Sequence, residues 1–176
     1  LRDIGILEEL ERNRRGRNSL EELIEQSLEI FAQTSLDSLL EHITSVINDK
    51  FIPSFLTFIV EDVNETYSVV YRYLNRIDDA LGDISLQSLK NYFHKRRLPV
   101  RFSELEEQLP DSSDLSVLKE YNPELVFPLF GIGGVHGFII FGSKVIDSEY
   151  EKDEIEYIYK LLQFTSICLQ NILHHQ

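Results

Sequence analysis

The stretch "VFPLFGIGGVHGFIIFGSKV", Val126–Val145, constrains this chain more than any other. Runs rich in β-branched and aromatic residues flank the glycine cluster "GIGG". Alternation on both sides of a glycine turn is the pattern of a β-hairpin. A phosphate-cradling loop needs a strand before its glycines and a helix after them, with free N–H groups aimed at the anion. Here a strand follows, no Lys-Ser/Thr pair comes next, and helical spacing resumes only near Ser148. The glycines therefore turn the chain, because glycine takes positive φ at little cost. Pro123 and Pro128 place part of the first strand at an edge or a bulge.

Upstream, "FLTFIVEDV" (55–63) is apolar on both faces, the mark of a strand covered on each side. The turn "NET" separates it from "YSVVYRYL" (67–74), which predicts a second hairpin. Ser19 with Glu22, and Thr34 with Asp37, have capping-box spacing. They predict one helix with Leu20, Leu23, Ile24, Leu28 and Phe31 on a stripe, and another from Leu36 through Ile47 that ends before Pro53. Residues 1–17 predict a linker or signalling helix broken near Gly16, with the domain proper over 18–176. The middle, 75–121, is less regular. It predicts a helix from Leu86 to Arg96, a short helix at "SELEEQL" and a loop at "PDSSD". A closing helix from Ser148 to His174 has an apolar stripe wide enough to pack on more than one surface. This order of elements is an α+β domain with an antiparallel sheet.

At 176 residues the chain suits one domain. A net charge of −13 argues against nucleic acid and against an anionic membrane surface as partners. No apolar run reaches the roughly 18–20 residues of a membrane span. One cysteine leaves no internal disulfide framework and no Cys-based zinc site, and it favours a reducing, cytoplasmic setting. The charged first residues do not resemble a secretory signal, and a chain that begins with Leu and holds no Met reads as a piece of a longer protein. His42, His94, His136, His174 and His175 are scattered without metal-site spacing, and no nucleophile–base set assembles. Neither catalysis, a metal nor a cofactor is expected. Cys168, on the apolar side of the closing helix, reads as a structural thiol.

From Glu124 to Leu173 the sequence resembles the C-terminal half of a GAF domain. Pro128, Leu129, Gly137, Phe138, Phe141, Gly142, Tyr150, Glu154, Ile155 and Asn171 carry the resemblance. It extends more loosely over residues 20–174. It implies a PAS-related antiparallel sheet of about six strands, with the N- and C-terminal helices on one face and a helical roof on the other. It also implies a non-catalytic sensory module, joined in the same chain to an output domain and paired with a second copy through its terminal helices. Members that bind cyclic nucleotides carry an Asn-Lys, Phe, Asp-Glu motif. Here Ser143, Tyr150, Glu154 and Ile155 depart from it and Lys144 is kept. The resemblance implies a structural pair between Lys144 and Glu154. GAF-type sulfoxide reductases use several loop cysteines, and GAF photoreceptors use one in the middle segment; Cys168 matches neither.

Candidate ligand-binding residues follow from that layout. Tyr71 and Tyr73 alternate with Arg72 on a strand, so one or the other set faces a pocket. Phe93 and Arg96 come from the roof helix. The run His94–Arg97 reads either as a complement to a helix dipole or as an anion-binding rim. Three functions remain open: a receptor for an unknown small molecule, a ligand-free dimerisation scaffold, and a cyclic-nucleotide-binding domain.

Overall fold

A strand apolar on both faces needs a layer on each side, and both central strands of this protein have one. The computed structural model describes residues 2–61, 67–73, 86–131, 133–146 and 148–174; for 2–4, 11–19, 67–73 and 174 only the backbone is described. The order is α1 (Arg2–Phe31), α2 (Leu36–Phe51), β1 (Leu56–Glu61), β2 (Tyr67–Tyr73), α3 (Gln87–Lys95), β3 (Val100–Arg101), α4 (Phe102–Gln108), α5 (Ser113–Lys119), β4 (Leu125–Gly131), β5 (Gly134–Phe141) and α6 (Lys152–His174). Among the described residues the sheet has five strands, all antiparallel, in the order β2-β1-β5-β4-β3. The resemblance implies about six.

The pleat divides the core in two. Leu56, Phe58, Phe127, Leu129, Ile139 and Phe141 pack under α1, α2 and α6. Ile59, Val126, Phe138 and Ile140 pack under the roof of α3, α4 and α5, against Leu89, Phe93, Leu105 and Leu118. The α+β architecture with terminal helices on one face and a roof on the other is the observed one.

Several boundaries differ from the sequence expectation, each for a local reason. Helix α1 runs unbroken through Gly16, since a single glycine costs a helix only about 1 kcal/mol and does not end it. Ser19 and Glu22 therefore lie inside a helix rather than at its cap. The cap of α2 is Ser35, not Thr34: its Oγ accepts from the Ser38 N–H at 3.2 Å. The loop at "PDSSD" gives way to α5 at Ser113. The stripe on α1 is also split. Leu23 and Ile30 are buried, whereas Leu20, Ile24, Leu28 and Phe31 are exposed.

Candidate functional site

β3 is only two residues long and pairs with Leu125 and Val126 alone. From Phe127 onward the outer edge of β4 has no neighbouring strand among the described residues, which is where Pro128, lacking an N–H, is tolerated. α6 fills the gap. Tyr159, Gln163, Ser166 and Gln170 recur at i, i+4, i+7 and i+11, one polar stripe along α6. Gln163 Nε2 donates to the Pro128 carbonyl at 3.4 Å, and Ser166 Oγ donates to the Phe130 carbonyl at 2.7 Å. The Gln170 amide occupies the space a side chain on Gly131 would need. An unpaired edge would invite another strand, and this stripe satisfies it.

The roof reaches the same place. The Tyr159 hydroxyl donates to the Arg97 carbonyl at 2.8 Å, just past the end of α3. The Arg97 guanidinium lies 4.4 Å from the centre of the Phe130 ring. His94 packs on Gly134, whose φ of +110° no other residue adopts without strain. The β4–β5 turn is thus held between α3 and α6. His136, on β5, shares a hydrogen bond of 2.7 Å between its Nε2 and Ser166 Oγ. The Ser166 proton goes to the Phe130 carbonyl, so His136 Nε2 is the donor. Burial lowers the His136 pKa and favours the neutral ring.

At the other end of α6, Lys144 Nζ lies 2.7 Å from both carboxylate oxygens of Glu154. Tyr150 donates to the Gly142 carbonyl at 2.8 Å, and Arg101 donates to the Tyr150 carbonyl at 2.6 Å. These contacts fix the loop that joins β5 to α6. The Cys168 thiol donates weakly to the Ile30 carbonyl at 3.4 Å, and burial raises its pKa.

Of the sequence-derived ligand residues, the two with described side chains, Phe93 and Arg96, face different spaces. Phe93 is fully buried, its ring 5.8 Å from that of Phe138, as part of the roof's core. Arg96 is exposed on the outer side, 6.0 Å from the centre of the Tyr92 ring. Tyr71, Arg72 and Tyr73 lie on β2 opposite Phe58, Thr57 and Leu56; their side chains are outside the described residues. Tyr159, Ser166 and Gln170 were not singled out by sequence reasoning. Their polar spacing on α6 is the signal that finds them. Among the described residues no group of three or more His, Cys, Asp or Glu is placed to hold a metal, and no helix is long and apolar enough to cross a membrane.

No family sequence model and no curated protein sequence matches the chain. Solved structures do match. The GAF domain of a two-component sensor histidine kinase from Bacillus halodurans aligns at a TM-score of 0.61 and 16% identity, over 82% of this chain and 100% of that one. The GAF domain of an Acinetobacter phosphoenolpyruvate-protein phosphotransferase aligns at 0.62 and 14%, over 89% and 95%. This chain has the GAF fold. The GAF-like neighbours also include the free methionine-R-sulfoxide reductase of Neisseria meningitidis, at 0.62 and 11% identity over 88% of this chain and 89% of that one. The GAF fold accounts for both helical layers seen here.

Proposed function

We propose that this GAF domain is a non-catalytic sensory and regulatory module of a larger cytoplasmic signal-transduction protein. It pairs with a second copy through α1 and α6 and passes the state of its roof to an output domain in the same chain. The observation that carries this reading is the double engagement of α6. Its polar stripe grips the roof and the hairpin turn, while its other side packs on α1, as in the edge contact of Phe31 with Phe164 at 6.0 Å. Beside that contact Leu20, Ile24, Leu28, Phe31 and Ile167 are exposed, an apolar surface that a second copy would cover. The sensor kinase neighbour is compatible with such a role. The lone, buried Cys168 supports a non-catalytic reading over the reductase chemistry of the Neisseria neighbour.

A ligand-free scaffold is the second reading, and one observation favours it: Leu89, Phe93, Leu105 and Phe138 fill the space between α3, α4 and the sheet. Thermal-shift screening with cyclic nucleotides and small metabolites separates the two. A receptor gains about 2.7 kcal/mol at one hundred times its Kd; a scaffold gains nothing. Pairing is tested by sedimentation equilibrium. The chain is expected to be a dimer, and Ile24→Glu with Leu28→Glu is expected to give a folded monomer. A wild-type monomer at high concentration refutes the pairing.

A further inference from the structure

The outer side of the roof carries a pocket of about 420 Å³, within the range of small-molecule sites. Ser88, Asn91, Tyr92 and Lys95 line it from one stripe of α3, turned away from the buried Leu89 and Phe93. Arg96 extends that wall, and Gln108 and Leu109 at the end of α4 close the opposite side. Among the described residues no carboxylate lines it.

This wall is basic in an acidic chain, and its cations, like the exposed Lys152 and Lys160, have no described carboxylate partner. The chain has 30 acidic residues against 17 Lys and Arg. Lys50, Lys90, Arg101, Lys119 and Lys144 each lie within 3.3 Å of a carboxylate oxygen. Lys95, Arg96 and Arg97 are consecutive, exposed, and without a described carboxylate partner. Arg97 is held over Phe130, which leaves Lys95 and Arg96 for the pocket. Two adjacent cations repel each other, and an anion bound between them offsets that repulsion. Arg96 against the Tyr92 ring also orients the guanidinium.

We propose that this pocket binds a small organic anion that joins a phosphate or carboxylate group to an apolar or aromatic body. Lys95 and Arg96 take the charged group, with hydrogen bonds from the Asn91 and Gln108 amides and the Ser88 hydroxyl. Tyr92 and Leu109 take the body. The site is on the outside of the roof, and it stands whether or not the domain is a sensor.

The test is an amide NMR titration of the chain with phenyl phosphate and with isophthalate at constant ionic strength. Saturable, one-site shifts centred on Asn91, Lys95, Arg96 and Gln108 are expected with at least one of the two. Arg96→Gln, an exposed change that leaves the fold intact, should weaken binding about tenfold, the scale of one lost charge-assisted hydrogen bond. Lys95→Gln with Arg96→Gln should abolish it. Shifts that do not saturate in the millimolar range, or binding unchanged in the double variant, overturn the proposal. So does tighter binding of hexaglutamate than of either small anion, which would assign the patch to an acidic protein segment.

Discussion

Tyr150 and Tyr157 are both buried, yet among the described residues only Tyr150 has a partner for its hydroxyl. Tyr150→Phe orphans the Gly142 carbonyl and should cost about 1–2 kcal/mol in urea unfolding. Tyr157→Phe removes a hydroxyl with no described partner, keeps the ring under Lys50 at 4.0 Å, and should be neutral or stabilising. Burial, helped by Glu22, pushes the Tyr157 hydroxyl from 10.0 up to about 12. Between those values the unfolded chain has lost this proton and the folded chain keeps it, so stability falls as pH rises. Tyr157→Phe should therefore make the loss of stability between about pH 10 and 12 shallower; an unchanged slope contradicts the assignment. The same reasoning separates Phe93 from Arg96. Phe93→Ala should cost about 3–5 kcal/mol as a core cavity, whereas Arg96→Ala should stay within about 0.5 kcal/mol.

At the scale of elements, the hairpin turn is where α3 and α6 meet. Gly134→Ala forces an alanine to φ +110° and drives its Cβ to 2.6 Å from His94. A loss of about 2–3 kcal/mol is expected, combining backbone strain with the clash. In a His94→Ala background the clash disappears and the strain remains, so the cost should fall by part of that amount. Gly131→Ala meets the Gln170 amide, which can swing away, and the edge of the His136 ring at 2.9 Å, but it carries no positive-φ strain, and should cost less than Gly134→Ala. Equal costs at the two glycines in thermal unfolding would contradict this account of the turn. Long elements were legible in the sequence because they repeat their pattern: β1 pairs with β2 and β4 with β5 as expected, the "NET" turn lying outside the described residues, and the closing helix is present though it starts at Lys152 rather than Ser148. Two-residue β3 was not, being too short to show a period, and α5 was not, because the turn residues Pro110, Asp111, Ser112 and Ser113 at its start read as a loop. The site was less legible than the fold. Phe93 and Arg96 are three residues apart, and only the end of α3 decides that one faces the core and the other the solvent. The Ser166–Phe130 bond joins residues 36 positions apart, a pairing no local pattern encodes.

For the molecule as a whole, the two cores are separated by one sheet, and the proposed relay, from roof to terminal helices, has to pass through it or around its edge. The contacts of His94, Arg97, Tyr159, Ser166 and Gln170 lie at that edge. They tie α3, the turn and α6 to one another. Hydrogen exchange measured residue by residue on the His94→Ala, Tyr159→Phe double variant tests this most directly. Both changes leave the cores intact. Faster exchange is expected in the last turn of α3, at the β4–β5 turn and in α6 from Gln163 to Gln170, all rising together. Faster exchange confined to α3, with α6 protected as in the parent chain, would contradict it.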